Sequence, residues 1–307
     1  MKISIIGAGN VGGLTAMRIA QEGLQDIFLI DVAKNLAQGK AFDLEDAQSI
    51  VRYNYRIQAS EDITEIKDSN IIVVTAGFAR SPGMTREDLL NKNARILKDI
   101  CLNIKKLAPG SIVIAVTNPL DLMTFFMLKV MGFKPSRVLG MGVSLDAARF
   151  ANLISQELNI AVSDITACVI GSHGEGMLPL PRFTTIKGVA LDEIIDDAKI
   201  AILLQKTFNR GKEIISLLGS GSAYFAPSAA IAEIVRVIAK DQKRTLGVSA
   251  YLNGEYAVKD ICAGVPCRLG KGGIEEIIEL DLNNQEREGF CAAAAKLKEQ
   301  YKSLMIQ

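Results

Sequence analysis

The chain of 307 residues has a single histidine, and its five cysteines, at 101, 168, 262, 267 and 291, include no C-x-x-C pair. That scarcity excludes the usual tetrahedral zinc sites, which draw closely spaced Cys and His ligands, so no metal is expected. An odd number of scattered cysteines also argues against a disulfide framework and fits reduced thiols in a cytoplasmic protein. An excess of one charge is missing too: 35 Lys plus Arg face 34 Asp plus Glu, for a formal net charge of +1. No field for nucleic acid or an anionic membrane follows from that balance. The apolar run after Met1-Lys2 is too short for a signal peptide or a spanning helix, and no membrane partner is expected.

What the chain does have is 49% hydrophobic residues and length for about two domains of roughly 150 residues each. Lys2 to Ile6 is a short apolar run that stops at Gly7-Ala8-Gly9-Asn10-Val11-Gly12, and a helical pattern follows. Strand, G-x-G-x-x-G and helix in that order form a dinucleotide-binding fingerprint. Gly7 makes the tight turn, Gly9 lets the backbone approach a pyrophosphate, and Gly12 lets helix and strand pack closely. A second strand, Ile27 to Ile30, ends in Asp31, which lies 19 residues beyond Gly12. A carboxylate at that distance binds the adenosine ribose and repels a 2′-phosphate, which favours NAD; Lys34 close by is the feature that would tolerate NADP.

The alternation continues with a helix over 34–47, strands near 55–58 and 71–75, a helix over 86–107, a strand at 111–116, a helix over 120–131 and a strand near 137–139. Six strands separated by helices predict a doubly wound parallel sheet, with ligands outside the carboxyl ends of the strands. After Gly142 the regular pattern ends. The expected division is a dinucleotide-binding domain over 1–143 and an α+β substrate domain over 144–307. Between 76 and 86 lies a glycine-punctuated loop with Arg80 and Arg86, leading into a helix that Thr85 can cap. Two guanidiniums on a loop that closes over substrate imply an anionic substrate.

In the second half, Ser144 is expected to cap a helix with an apolar face of Leu145, Ala148, Leu153, Ile154 and Leu158. Asp146 and Arg149, three apart, share one side of it. A buried strand over 165–170 leads to Ser172-His173-Gly174-Glu175-Gly176, which puts the one histidine on a loop at a strand end. Taken alone, such a histidine is more often a bystander than a catalyst. With Asp146 to orient it and Arg149 to grip a carboxylate, it becomes an acid/base candidate. A strand or hairpin over 182–191, helices over 192–218 (broken near 196–199) and 223–239, three β-like runs between 245 and 280 and a helix over 283–305 complete the pattern. There is no G-x-S-x-G elbow, since Gly142-Val143-Ser144-Leu145-Asp146 misses it at the last position, and a serine hydrolase is excluded.

V-T-N-P-L-D at 116–121, S-L-D-A-A-R-F at 144–150 and G-S-H-G-E at 171–175, together with the glycine fingerprint, resemble the lactate/malate dehydrogenase family over essentially the whole chain. The resemblance implies a Rossmann domain followed by an α+β catalytic domain, NAD as cofactor, and hydride transfer to and from a 2-hydroxy acid. It casts His173 as the proton carrier, Asp146 as its orienting carboxylate, Arg149 as the grip on the C1 carboxylate and Arg86 as the group polarising the substrate carbonyl. Asn118 would hydrogen-bond the substrate oxygen. Asn10, Val11, Asn93, Val116 and Asn118 join Gly7, Gly9, Gly12 and Asp31 as implied cofactor contacts, and the bond before Pro119 is expected to be cis.

Lactate members place glutamine where this chain has Arg80, often an acid at Met84 and usually threonine at Ala223. Those three positions resemble the malate-specific branch, with malate or oxaloacetate as a small dicarboxylate substrate and a homodimer or homotetramer as the assembly. Ser81, Ser172, Glu175 and Gly176 depart from the commoner family pattern. The alternatives are a lactate or other 2-hydroxy acid dehydrogenase and, in a different class, a catalytically silent dinucleotide-binding protein. An activity titration is expected near the ordinary imidazole value of about 6.5.

Overall fold

The computed structural model describes residues 1–24, 26–78, 86–219 and 221–305, with backbone alone at 86, 87 and 305. The first half runs β1 (Ile3–Ile6), α1 (Asn10–Gln21), β2 (Ile27–Ile30), α2 (Leu36–Val51), β3 (Ile57–Ser60), β4 (Ile71–Val74), α3 (Arg86–Leu107), β5 (Ile112–Ala115), α4 (Leu120–Met131) and β6 (Val138–Gly140). The second half runs α5 (Val143–Leu158), β7 (Ile165–Thr166), β8 (Val169–Ser172), β9 (Gly176–Pro179), β10 (Thr185–Ile186), β11 (Val189–Ala190), α6 (Asp197–Leu218), α7 (Phe225–Ala239), β12 (Arg244–Asn253), β13 (Lys259–Gly270), β14 (Gly273–Ile277) and α8 (Asn284–Met305).

The six parallel strands take the order β3-β2-β1-β4-β5-β6, the doubly wound order expected from the alternation. Helices cover both faces, which is why β1, β4 and β5 are buried at every position and read as unbroken apolar runs rather than alternating ones. The helix α4 is apolar nearly all round, and accordingly nine of its twelve residues are buried.

The sheet does not stop at β6. It continues through β12, β13, β8 and β9, and β12 meets β6 antiparallel at the single register pair Ser249 and Gly140. The seam is close: a Cβ added at Gly140 would lie 3.0 Å from Ser249 Cβ across it, and 2.4 Å from Thr124 Oγ1 on α4 behind it. The α+β half is thus joined edge to edge to the parallel half, and α1 also packs on α7, with Arg236 Nη1 3.0 Å from Glu22 Oε1.

Three local expectations are corrected. The strand over 165–170 is two strands in different sheets: β7 pairs β10, while β8 pairs β13 and β9. Between them Cys168 bonds through its N–H to Thr184 Oγ1 and through its carbonyl to Leu180, and so leaves one sheet for the other. Ser144 does not cap α5. Gly142, at φ 49°, precedes the helix, and the Ser144 hydroxyl donates to the carbonyl of Gly247 on β12. Ala148 is exposed, and fully buried Phe150 takes its place on the apolar face. The predicted break near 196–199 has a plain cause: Asp196 accepts from Lys199 N at 2.9 Å and starts α6 there.

Candidate active site

The carboxyl ends of β1, β4, β5 and β6 form one edge, where the glycine turn lies. Gly7 sits at φ 107°, and a Cβ there would lie 2.6 Å from Thr75 Oγ1 and 2.7 Å from Ala76 N. A Cβ at Gly12 would come within 1.9 Å of the Gly7 carbonyl oxygen, so this position admits only glycine without backbone movement. Gly9 is different, because nothing lies within 4 Å of where its Cβ would be. That open space in front of the first turn of α1, with exposed Gly9 and Asn10, is a cradle of the kind that admits a pyrophosphate. Val11 follows, half-buried, on the same turn. Asp31 stands at the end of β2, its Oδ2 accepting from Ala8 N at 2.6 Å and its Oδ1 from Ala33 N at 2.8 Å. Both bonds orient the carboxylate beside the glycine turn, and the donor set fits a dinucleotide.

Lys40 also belongs here, although no local pattern marks it. From α2 its ammonium donates to the Gly9 carbonyl at 2.9 Å and lies across the first turn of α1 at Gly13. Burial lowers its pKa and the Asp31 charge opposes that shift.

The loops after β4 and β5 are tied together by Asn93. This fully buried amide accepts from Phe78 N at 2.8 Å and donates to Asn118 O at 2.7 Å. Its side chain, expected as a cofactor contact, thus holds the two loops that border the cleft. Val116 is half-buried and Asn118 exposed at this edge, and the Asn118–Pro119 peptide bond is cis, in line with the resemblance. Ala223 lies half-buried just before α7. Arg80, Ser81, Met84 and Thr85 lie outside the described residues, as does the side chain of Arg86, whose backbone opens α3.

The second half brings the proton chemistry to this edge. The strand β8 reaches it through β13, and His173 follows at its end. His173 Nδ1 is 2.8 Å from Asp146 Oδ2, and Arg149 Nη1 is 3.3 Å from Asp146 Oδ1. The carboxylate is fully buried, whereas the imidazole and guanidinium side chains remain 14% and 12% exposed. One carboxylate therefore bridges the two groups, and with Nδ1 engaged only Nε2 is left to exchange a proton with a substrate. Burial pulls the His173 pKa down, but the charge and hydrogen bond of Asp146, with the charge of Asp121, outweigh it. The net shift is upward from 6.5, which corrects the expectation of an unperturbed titration.

Two further residues were missed. Gly211 lies in the middle of α6, and a Cβ there would lie 3.3 Å from Arg149 Nη1 and 3.6 Å from Nη2. The guanidinium lies against the bare backbone; a glycine inside a 22-residue helix was the available signal. Asp121, in the first turn of α4, is 2% exposed, and its Oδ2 accepts from His173 N at 2.8 Å and from Ser172 Oγ at 3.2 Å. An acid in an otherwise apolar helix start was the signal there. No group of three or more His, Cys, Asp or Glu side chains suited to a metal ion occurs among the described residues.

Comparison with known proteins agrees in both halves. The family model described as lactate/malate dehydrogenase, NAD binding domain, matches residues 1–140, and that described as lactate/malate dehydrogenase, alpha/beta C-terminal domain, matches residues 143–305. The chain is 47% identical over 288 residues to the malate dehydrogenase of Methanosarcina mazei, covering 94% of each chain. It superposes on the malate dehydrogenase of Salinibacter ruber with a TM-score of 0.94 at 38% identity, covering 99% of this chain and 98% of that one. A lactate dehydrogenase from Cryptosporidium parvum, solved with lactic acid and nicotinamide adenine dinucleotide, gives a TM-score of 0.95 at 35% identity, over 99% and 97% of the two chains.

Proposed function

The chain belongs to the lactate/malate dehydrogenase family of NAD-dependent oxidoreductases, and from that premise we propose that it interconverts malate and oxaloacetate (malate + NAD+ = oxaloacetate + NADH + H+). The reading is carried by the Arg149–Asp146–His173 chain, held by one buried carboxylate. The dinucleotide held at the glycine turn would supply the hydride acceptor for malate C2 and, in its reduced form, the hydride donor to oxaloacetate C2. His173 Nε2 accepts the hydroxyl proton in one direction and returns it in the other, while Asp146 holds the ring and offsets the charge it gains. Arg149, steadied by the same carboxylate, pairs with the C1 carboxylate. Asn118 donates to the substrate oxygen, and Arg86 meets the negative charge that builds there during reduction. Arg80 pairs with the distal carboxylate and sets the choice of a dicarboxylate over pyruvate.

For the cofactor, the first turn of α1, with Gly7, Gly9, Asn10, Val11 and Gly12, would hold the pyrophosphate, and Asp31 the adenosine ribose. Asn93, Val116 and Asn118 would border the nicotinamide end. The boundary between the cofactor and substrate domains falls at 143. The same reading places the enzyme in the cytoplasm, in the tricarboxylic acid cycle, as a homodimer or homotetramer. Supporting an oligomer, large apolar side chains stand exposed on α2 (Phe42, Ile50) and α6 (Ile202, Leu217), and light scattering of the purified protein checks it. No helix among the described residues is long and apolar enough to cross a membrane.

The test is NADH oxidation with a panel of 2-oxo acids. A kcat/KM for oxaloacetate at least about tenfold above that for pyruvate is expected. Preference for pyruvate would assign the chain to lactate-type activity, and NADH binding with no turnover would make it a silent dinucleotide-binding protein.

A further inference from the structure

We propose that Asp121 is a positioning residue for the reaction: reaching from the cofactor-binding half, its carboxyl holds the main chain of His173 and so sets the imidazole against the substrate. The proposal rests on the proton-carrier reading of His173 given above, and it concerns what keeps that carrier in place.

The loop that carries His173 is short and its backbone permissive. The residues Ser172 and Gly176 are paired across β8 and β9, which leaves three residues between them. Gly171 and Gly174, on either side of the histidine, have φ of 93° and 94°, in the region glycine enters freely. Asp146 fixes the imidazole through Nδ1, but a bond to the ring does not fix the main chain that bears it. That task falls to Asp121 Oδ2, which accepts from the His173 N–H at 2.8 Å and from the Ser172 hydroxyl at 3.2 Å. The carboxyl comes from 52 residues away, on the first turn of α4, directly after the loop of Asn118 and Pro119. One rigid helix start therefore carries both the Asn118 loop and the anchor of the histidine loop, and the two sides of the cleft share a common reference.

Its environment suits a fixed strut. Asp121 is almost wholly buried, and burial pushes its carboxyl pKa up. Its Oδ1 and the Ser249 hydroxyl are both buried, and Ser249 lies near enough to oppose the rise in the carboxyl pKa. An asparagine fits the same place: its carbonyl can accept from His173 N, and its amide can donate to Ser249 Oγ. An alanine leaves the loop N–H without an acceptor. A misplacement of the reacting group by about 1 Å costs on the order of a hundredfold in rate.

The single histidine makes a direct test possible, because protein labelled with 15N-histidine shows one backbone amide signal, that of His173. In Asp121→Ala that amide is expected to exchange with solvent at least tenfold faster, and kcat for oxaloacetate to fall about a hundredfold, with the NADH Kd within twofold of the parent. In Asp121→Asn both the exchange protection and kcat return to within about tenfold of the parent. Asp121→Val, which fills the space without an acceptor, is the second variant should alanine fail to fold. Unchanged protection in Asp121→Ala or Asp121→Val, or kcat within threefold of the parent, overturns the proposal. A parent protein that binds NADH but reduces no 2-oxo acid sinks the dehydrogenase reading instead, and the amide exchange still decides whether the anchor exists.

Discussion

Replacing Asp146 with asparagine is expected to move the pH dependence of oxaloacetate reduction to lower pH. His173 must be protonated to deliver its proton, and its pKa in the fold is raised above 6.5. Reduction is therefore sustained below that folded value and is lost as pH rises through it. Asp146 is the main source of the upward shift, at 2.8 Å from Nδ1. Two unit charges about 4 Å apart interact by on the order of 4 kcal/mol at an effective dielectric constant near 20. That is a ceiling, because Arg149 shares the same carboxylate at 3.3 Å and its charge opposes protonation of the imidazole. A displacement of the limb of kcat/KM to lower pH is the expected result. The rate of malate oxidation at its optimum falls as well, by roughly a thousandfold or more, since an asparagine amide donating to Nδ1 selects the tautomer in which Nε2 already bears a proton and cannot accept the one from the hydroxyl. The assay is NADH oxidation followed across pH 5.5 to 9.5 in buffers of constant ionic strength, with His173→Asn as the variant in which the limb disappears. A limb that stays within about 0.3 units of the parent in Asp146→Asn would refute the assignment of Asp146 as the source of the shift.

Three other substitutions probe the remaining groups. Arg80→Gln should move preference from oxaloacetate towards pyruvate by at least about a hundredfold in the ratio of kcat/KM values, because an unpaired carboxylate in a closed site costs several kcal/mol; an unchanged ratio would assign the distal carboxylate to another group. Gly211→Leu should raise the KM for oxaloacetate about tenfold or more while leaving the NADH Kd unaltered, since the added side chain would enter the space held by the Arg149 guanidinium. If KM holds steady, that contact has no bearing on substrate. Gly12→Ala, whose Cβ would meet the Gly7 carbonyl at 1.9 Å, should weaken NADH binding at least about tenfold by calorimetry; binding at parental strength would mean that the turn can open without cost.

Much of the site was legible because its signals are local. The glycine turn follows an apolar strand within six residues, Asp31 closes the next strand, and Asp146 and Arg149 lie one helical turn apart, as their 3.3 Å contact bears out. The residues that escaped notice act over distance. Asp121 meets His173 across 52 positions and Lys40 meets Gly9 across 31, so no window of sequence contains both partners. The same distinction explains the misread elements. Ser144 before an apolar run has the pattern of an N-cap, but its hydroxyl is engaged by Gly247, 103 residues on. The run over 165–170 has the composition of one strand, and its division at Cys168 comes from partners at 180 and 184. The merging of the two halves into one sheet had no sequence signal at all, because edge pairing between distant strands is a matter of tertiary fit.

That merged sheet bears on how such a chain can be rebuilt. A cofactor module joined by a flexible tether could be cut out and fitted to another catalytic half. Here the two halves are joined along β6 and β12, where a methyl group at Gly140 would be caught between α4 and Ser249 of the partner strand. Severing the chain there would bare a strand on each fragment, an open template for pairing with any other chain. New specificities on this scaffold are therefore reached by changing residues around the cleft, not by exchanging whole halves.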